Sequence, residues 1–365
     1  MQEFIKSINN LFSNISDYRV NPVSYPIKEL LFLFTAGTLS GCNDYEDICD
    51  WGELRIEDLR QYMEFYNGIP HPRTLARVIS HIKKEEISVL LSKFIKITDG
   101  KDLKHIALDG KYLGDSLYSV SAFETKSCLT IGQSLPYTAG NELSSIKQLI
   151  ESLYLKNSVI TIDAIGCNRE IFDLIKKSKA DAIIAVKGNN KYLHSQITNL
   201  FTQKSDDIKT DNYEEVSKGH GRVESRKIKI LNDLDLLPET KAWPHIKSVI
   251  EITSTRYIKT KETTESRYYV ATNKFDADKA LSYIRSHWAI ENNLHWVLDV
   301  NMKEDTKTHL VNNARYNIAT IKRFALNILK TFKPQKSSII AFQRKIARDN
   351  KTMHDLFKNV FLTYP

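Results

Sequence analysis

The spacing of apolar residues changes near residue 104 and divides the chain into two parts. Before that point, apolar residues recur at helical spacing, as in PHPRTLARVISHI, where Leu75, Val78, Ile79 and Ile82 fall on one face. The run LLFLFTAGTLS is apolar enough for a buried helix but too short to span a bilayer. Residues 1–100 are therefore predicted to form a helical N-terminal domain.

Downstream of residue 104, short β-rich runs alternate with helical runs in the order β-β-β-α-β-α-β-α. Three sequential strands followed by βαβ crossovers predict an α/β fold, a mixed sheet with helices covering its faces. The predicted strands are His105–Leu108, Leu117–Phe123, Cys128–Leu135, Ser158–Asp163 and Asp181–Lys187. The predicted helices among them are Asn141–Leu155, Asn168–Lys179 and Lys191–Phe201.

A second β-rich stretch, at about 206–273, follows these crossovers. Its runs RVESRKIKIL, HIKSVIEITSTRYI and SRYYVATN alternate in places, which indicates antiparallel strands with one solvated face. Helical character then returns and continues to the end of the chain. The second domain is thus predicted to span 101–365, with a β-rich insertion, a late helix at roughly Ala280–Leu298 and a basic helical C-terminal segment.

Composition places the chain among soluble globular proteins. Apolar residues make up 42% and charged residues 26% of its 365 residues. The net charge of +8 favours a polyanionic partner, although a merely basic enzyme has the same balance. The four cysteines show no C-x-x-C spacing, which argues against a zinc knuckle or a disulfide framework. With neither a signal peptide nor a membrane span expected, we predict a cytoplasmic protein.

Two aspartates follow apolar runs that are predicted as strands. Asp109 ends the first strand in HIALDGK, and Asp163 ends the fourth in VITIDAIGCN. These two strands can lie side by side in a mixed sheet, and ligands gather at the carboxyl ends of strands in open α/β sheets. We therefore expect both carboxylates to meet at one point.

A third acidic residue belongs to the late helix. Ile284, Trp288, Glu291, His295 and Leu298 share one stripe at helical spacing. An ionised glutamate on an apolar and aromatic stripe is costly unless it is paired or binds a metal. Glu291 is therefore predicted to belong to a site and not to a solvated surface.

Three carboxylates on two strands and a helix suit a pair of divalent ions. Mg²⁺ prefers carboxylate oxygens, and two such ions can clamp the attacking and leaving oxygens of a phosphodiester, with Mn²⁺ as a substitute. The predicted catalytic and metal-binding residues are thus Asp109, Asp163 and Glu291. DNA phosphates also need cationic neighbours, for which the predicted residues are Lys111, Lys187, Arg222, Arg285, His287 and His295.

Three alternatives stay open at the level of sequence. His287, Glu291 and His295 are spaced four residues apart and offer a zinc site instead. The helix that starts near Arg73 fits either a DNA-reading helix-turn-helix or plain helical packing. From 315 to 351, ten Lys or Arg residues stand against a single acid, which fits either a phosphate-binding surface or a solvated amphipathic helix.

Seven motifs of this chain resemble those of H-repeat-associated insertion-sequence transposases, which belong to the DDE superfamily. In order they are DYEDICDWGE, NGIPHPRTLARV, IALDGKYL, TIDAIGCNREI, IIAVKGNN, KGHGRVESRKI and IRSHWAIENNLHWVLDV. The resemblance runs from about Phe12 to Phe357. It implies an RNase H-like mixed sheet with a β-rich insertion and an N-terminal helical domain. It also implies that Asp109, Asp163 and Glu291 are catalytic, and that element ends are cleaved and joined to new DNA.

The resemblance further implies double-stranded DNA as the partner and a homodimer in the synaptic complex. It implies a bacterial cytoplasmic protein that lies with the nucleoid when bound to DNA. Related transposases often carry an arginine four residues before the glutamate and a lysine seven after it, where this chain has His287 and Leu298. Two other functions remain possible from the sequence, a non-catalytic DNA-binding relative and a nuclease without strand transfer.

Overall fold

The computed structural model describes residues 2–20, 23–97, 105–114, 117–134, 142–203, 209–219, 221–235, 237–259, 261–305 and 313–361. The helices are α1 (Gln2–Leu11), α2 (Ile27–Leu39), α3 (Tyr45–Leu54), α4 (Ile56–Leu59), α5 (Pro72–His81), α6 (Lys84–Ile97), α7 (Glu142–Ser152), α8 (Arg169–Lys177), α9 (Lys191–Gln203), α10 (Ala277–His287), α11 (Trp296–Met302), α12 (Ala314–Phe332), α13 (Ile339–Arg348) and α14 (Asn350–Phe361). The strands are β1 (His105–Gly114), β2 (Leu117–Glu124), β3 (Leu129–Ser134), β4 (Val159–Ile162), β5 (Asp181–Val186), β6 (Asp211–Gly219), β7 (Arg222–Leu231), β8 (Ser248–Ile258) and β9 (Lys261–Ala271).

The N-terminal helices form where the sequence has apolar stripes and stop signals. In α5 the predicted apolar face is buried, and Pro72 occupies the first turn. The His71 side chain caps this helix by accepting a hydrogen bond from the Arg73 backbone N–H at 3.2 Å. Helix α2 ends shortly before Gly41, whose φ of 93° is a left-handed conformation that glycine adopts without strain. The predicted helical start of the chain is confirmed.

The described strands form one sheet, in the order β3-β2-β1-β4-β5-β9-β8-β7-β6. β4 is parallel to both β1 and β5, whereas the other neighbouring pairs are antiparallel. The predicted mixed sheet is confirmed, and its insertion is the antiparallel set β6–β9, which extends the sheet beyond β5. The sequence patterns did not predict β6, because its side chains are mostly exposed and therefore show no apolar alternation.

Strand β1 is longer than predicted, which changes the position of Asp109. The prediction ended the strand at Asp109, but β1 continues to Gly114 along β2. The parallel pairing of β1 with β4 stops where Leu108 faces Ile162. Asp109 is therefore the first residue beyond the parallel pairing, and the strand does not end there.

Helices cover both faces of the sheet. α7, α8 and α9 pack on the face that carries Ile106 and Leu108. α10, α11 and α12 lie on the opposite face, which carries Ala107 and Leu113. Because side chains alternate along a strand, Asp109 points toward the α10–α12 face. The late helical segment that carries Glu291 lies on that same face.

One hydrophobic core joins the two ends of the chain. Side chains of α1, α2, α5 and α6 pack with those of α12, α13 and α14 in a single cluster. Helices on both sides of the predicted domain boundary near residue 100 therefore share one core. The division into two domains stays a prediction. Within the described ranges, no helix combines the length and the apolar character needed to cross a membrane.

The basic C-terminal segment is not one continuous surface. Lys322 and Arg323 are buried in α12, and the Lys330 ammonium donates a hydrogen bond to the Cys128 carbonyl oxygen at 2.7 Å. Burial lowers the pKa of Lys330 to about 8. The exposed cations of the segment are Lys336, Arg344, Lys345, Arg348 and Lys351. The phosphate-binding surface that ten cations suggested is therefore reduced to this smaller set.

Candidate active site

Asp109 and Asp163 come together on neighbouring strands. β4 ends one residue before Asp163, at the level where the parallel pairing with β1 ends one residue before Asp109. Asp163 Oδ1 accepts a hydrogen bond from the Ile165 backbone N–H at 3.1 Å, which holds the carboxylate against the turn after β4. Both aspartates line one cavity of about 570 Å³. Glu291 lines it as well, so the three predicted acids share one site.

The helix that carries Glu291 is interrupted. The predicted continuous helix is divided into α10, a π-helical turn at Glu291–His295, and α11. The Trp296 backbone N–H donates to the Glu291 carbonyl oxygen, and such π-turns are frequent at functional sites. Of the predicted stripe, Ile284, His295 and Leu298 are buried, whereas Trp288 is 55% exposed. Glu291 is itself exposed and is a candidate ligand because of its neighbours and not because of burial.

His295 lies between Asp109 and Glu291. Its Nδ1 is 3.1 Å from Glu291 Oε2 and 3.6 Å from Asp109 Oδ2. One ligand atom from each of these three residues lies within 4.8 Å of the others. Burial lowers the pKa of His295 to about 3, so its neutral ring does not supply the positive charge predicted for a DNA contact. The imidazole is instead a candidate metal ligand, a role that the sequence reasoning did not assign to it within the acid set.

Negative charge is concentrated at Asp109. Burial and the nearby charges of Asp163, Glu291 and Glu142 raise the pKa of Asp109 to about 7. Burial also raises the pKa of Asp163, although the charge of Lys187 acts in the opposite direction. A divalent cation would relieve this repulsion, and carboxylate oxygens are the ligands that Mg²⁺ prefers. The side chains of this site therefore fit Mg²⁺ or Mn²⁺.

The pKa of Asp109 is ordinarily 3.8 and rises to about 7 in the folded protein. We therefore expect the metal-free protein to lose stability as the pH rises from 3.8 to about 7. In that window the folded chain binds more protons than the unfolded chain, so a rise in pH favours unfolding. Thermal melting in EDTA at stepped pH values measures this slope. Asp109→Asn should reduce it, whereas the exposed Asp278→Asn should not. An equal slope in both variants would contradict the raised pKa.

His287 belongs to a buried chain of hydrogen bonds. Its Nδ1 is 2.9 Å from Thr161 Oγ1, which is 2.9 Å from His105 Nε2, and His105 Nδ1 is 2.9 Å from Thr125 Oγ1. Burial lowers the pKa of His287 to about 4. The ring lines the cavity, and its lowered pKa does not favour the cationic form. The contact of His287 with DNA stays a prediction. Among the described residues, the group of possible metal ligands is Asp109, Glu291 and His295, and it does not include the His287 of the alternative zinc set.

Lys111 is buried beneath the acids. Its ammonium pairs with Asp299 and lies 2.6 Å from Asp305 and 3.6 Å from Glu304. Arg323 binds Glu304 as well, at 2.5 Å. The charge of Lys111 is therefore neutralised inside the protein, which does not favour its predicted contact with DNA.

Two cations line the cavity together with the acids. Lys187 was predicted from the sequence and is exposed just after β5, where its charge lowers the pKa of Asp163. Arg267 of β9 was not predicted, because β9 reaches the site only by pairing with β5. The Arg267 guanidinium pairs with Glu265 at 2.9 Å. In the described part of the cavity wall, Lys187 and Arg267 are the cations that lie beside the three acids.

The other two predicted cations do not line this cavity. Arg285 is exposed on α10 and pairs with Glu215 of β6. Arg222 begins β7 and its Nε lies 3.8 Å from Glu224 Oε2. Their contact with DNA stays a prediction, and it would lie beside β6 and β7 and not at the acids.

Comparison with known proteins decides the family. The model of the transposase DDE domain matches residues 93–328, and the model of its associated domain matches residues 9–95. The chain belongs to the DDE transposase family. All three acids of this family member fall within the matched DDE domain, and α1 through α6 correspond broadly to the associated domain.

Several relatives of this DDE family member are similar over nearly its whole length. The candidate transposase YncI of Escherichia coli O157:H7 is 34% identical over 94% of this chain and 92% of its own length. The H repeat-associated candidate transposase YhhI of Escherichia coli K12 is 34% identical over 94% of this chain and 96% of its own length. A solved piggyBac transposase synaptic complex with hairpin DNA overlaps all of this chain and 82% of its own, at a TM-score of 0.44 and 12% identity.

Proposed function

We propose that this protein is the DNA transposase of an insertion sequence, which cleaves the element ends and transfers their 3′-hydroxyl strands to target DNA. The observation that carries the proposal is that Asp109, Asp163 and Glu291 line a single cavity on one face of the sheet. Membership of the DDE family and relatives named as transposases support it.

In this proposal Asp109, Asp163 and Glu291 hold two Mg²⁺ ions, or Mn²⁺ as a substitute, and His295 is an additional ligand. Bound ions of this kind stabilise the attacking and leaving oxygens of an in-line phosphoryl displacement. Lys187 contacts the phosphates that flank the scissile bond. The fold positions these ligands, since Asp109 lies on β1, Asp163 directly follows the paired strand β4, and His295 is buried in the π-turn.

Double-stranded DNA is the proposed partner, both as element ends and as target. The net charge of +8 supports a polyanionic partner, because cationic side chains release the counterions that surround DNA. A homodimer is the proposed synaptic unit, since transposition needs two ends in one complex. The exposed cations of α13 and α14, with Arg222 and Arg285, are the proposed contacts outside the cavity.

A strand-transfer assay tests this function. A labelled duplex that carries the flanking element ends is incubated with the protein, Mg²⁺ and a target plasmid. Cleaved ends together with a product joined to the plasmid are expected. Cleavage without joining would identify a nuclease, and binding without cleavage would identify a non-catalytic relative. Either of the last two results contradicts the proposal.

A further inference from the structure

A further carboxylate lies beside the acid site, on the other face of the sheet. Glu142 begins α7, and α7 packs against β2, β3 and the 3₁₀ turn Ala164–Gly166 that directly follows Asp163. Glu142 ends no strand and does not line the cavity of the three acids. The proposed chemistry has so far given it no role.

The Glu142 carboxylate rests on Gly110, the residue after Asp109. A Cβ atom added at Gly110 would lie 2.7 Å from the Glu142 carboxyl carbon, which is closer than real Cβ atoms come to other atoms. Because side chains alternate along a strand, Gly110 faces α7 while Asp109 faces the opposite side. The absence of a side chain at Gly110 therefore provides the space in which this carboxylate reaches the backbone of β1.

The sheet opens at this level, so that groups on its two faces can meet. β4 pairs with β1 only as far as Leu108 and Ile162, and the chain then leaves the sheet in the turn that Asp163 caps. Among the described strands, β1 continues past this level with β2 as its one neighbour. No strand therefore separates Glu142 from the carboxylates of Asp109 and Asp163.

Glu142 has no cation partner in the part of the chain that the structure describes. It is half-buried, and no described side chain forms a hydrogen bond or an ion pair with its carboxylate. Burial and the charge of Asp163 raise the pKa of Glu142. A carboxylate that is partly removed from water without a partner costs free energy, which a bound divalent cation would offset.

The possible ligands divide into two groups around Asp109. Glu291 and His295 approach Asp109 on the α10–α12 face, where one ligand atom from each of the three residues lies within 4.8 Å of the others. Glu142 approaches from the α7 face, beside the turn that follows Asp163. Such a division suits two ions better than one, and carboxylate oxygens are the ligands that Mg²⁺ and its substitute Mn²⁺ prefer.

We propose that Glu142 is a fourth carboxylate ligand of the metal site and that, together with Asp109 and Asp163, it binds one of the two ions. Gly110 is then a positioning residue, because it leaves room for the Glu142 carboxylate beside Asp109. The inference rests on the proposed function, which requires divalent ions at the three acids.

Binding of Mn²⁺ to the DNA-free protein tests this ligand, because the EPR signal of free Mn²⁺ falls as the ion binds. For Glu142→Gln we expect the affinity for Mn²⁺ to fall at least about tenfold, since even the loss of a group that only supports a ligand costs about 10–100-fold. Glu151→Gln is the matched control. It makes the same change at an exposed position near the other end of α7 and should bind Mn²⁺ like the unchanged protein.

Gly110→Ala distinguishes a ligand from a nearby charge. The added methyl group takes the space of the Glu142 carboxylate and leaves every charge in place. We therefore expect weaker Mn²⁺ binding by Gly110→Ala. Adding Gly110→Ala to Glu142→Gln should cause little further loss, because both changes act on the same carboxylate. Thermal melting in EDTA checks that each variant is folded.

Two results would overturn the role of Glu142. One is a folded Glu142→Gln variant that binds Mn²⁺ as tightly as Glu151→Gln. The other is weaker binding by Glu142→Gln together with unchanged binding by Gly110→Ala, which would indicate a general attraction between charges.

Asp163→Asn in the same titration separates this inference from the proposed function. It should lose Mn²⁺ affinity whether or not Glu142 is a ligand, because Asp163 belongs to the three acids. Unchanged binding by Asp163→Asn would contradict the metal site itself, whereas unchanged binding by Glu142→Gln alone would leave the three acids as its ligands. Since no DNA is present, failure of strand transfer does not affect this test.

Discussion

Replacement of Asp163 by asparagine is expected to lower the rate of metal-dependent DNA cleavage by on the order of 10³-fold. Asparagine keeps the size of the side chain and an acceptor oxygen for the Ile165 N–H, but it removes one negative charge from the cavity. Mg²⁺ depends on carboxylate ligands, so the loss falls on the chemistry and not on the fold. The measurement is the single-turnover rate of end cleavage at saturating DNA.

The matched control for this variant is Asp278→Asn. Asp278 is exposed in the first turn of α10, on the element that leads to Glu291, and does not line the cavity. It should cleave at the unchanged rate, whereas Glu291→Gln should behave like Asp163→Asn. All three variants should bind a labelled duplex in EDTA with unchanged affinity. Normal cleavage by Asp163→Asn would show that the acid set is not catalytic.

Arg323→Met is expected to lower the free energy of unfolding by about 3 kcal/mol. Arg323 is fully buried, with its guanidinium 2.5 Å from Glu304 Oε1 and its Nε 3.2 Å from Ser121 Oγ. Methionine fills a similar volume but leaves the buried Glu304 carboxylate with one cation fewer. This loss of stability is at the lower end of the range for breaking a buried ion pair, because the Lys111 ammonium remains 3.6 Å from Glu304. Urea denaturation measures the change.

A surface pair supplies the comparison for this second prediction. Arg60 lies 2.7 Å from Glu57, and the two side chains are 42% and 80% exposed. Arg60→Met should therefore cost less than about 1 kcal/mol, since solvent screens exposed pairs. Adding Glu304→Gln to Arg323→Met should recover part of the lost stability by removing the unpaired charge. Equal effects of Arg323→Met and Arg60→Met would show that the buried cluster contributes little.

The same buried cluster connects the elements that carry the acids. Lys111 lies two residues after Asp109 on β1, while Asp299 belongs to α11, which follows the π-turn of Glu291. The ion pair between Lys111 and Asp299 therefore links the strand of one acid to the helix of another. Arg323 extends this link to α12 through Glu304. Lys111, which the sequence suggested as a DNA contact, thus joins β1 to α11.

Local patterns in the sequence were enough for most elements. Apolar spacing and capping residues predicted α5 and α7 through α9, because each of these helices buries one regular face. Alternating β and helical runs predicted β1 through β5 and their mixed sheet. β6 was missed because an exposed edge strand needs no apolar pattern. The late helix was predicted as continuous because no Gly or Pro in residues 280–298 marks the π-turn.

The sequence by itself predicted that Asp109, Asp163 and Glu291 meet, and the three side chains line one cavity. It could do so because each aspartate directly follows an apolar run, and because strand order follows from short crossovers. Only the tertiary structure decided the role of the basic residues. The sequence alone does not show whether the side chain of a lysine or histidine faces a phosphate or a buried carboxylate. Lys111 is an internal counter-charge, and burial lowers the pKa of His287 and of His295 because the helices packed on the sheet limit their contact with water.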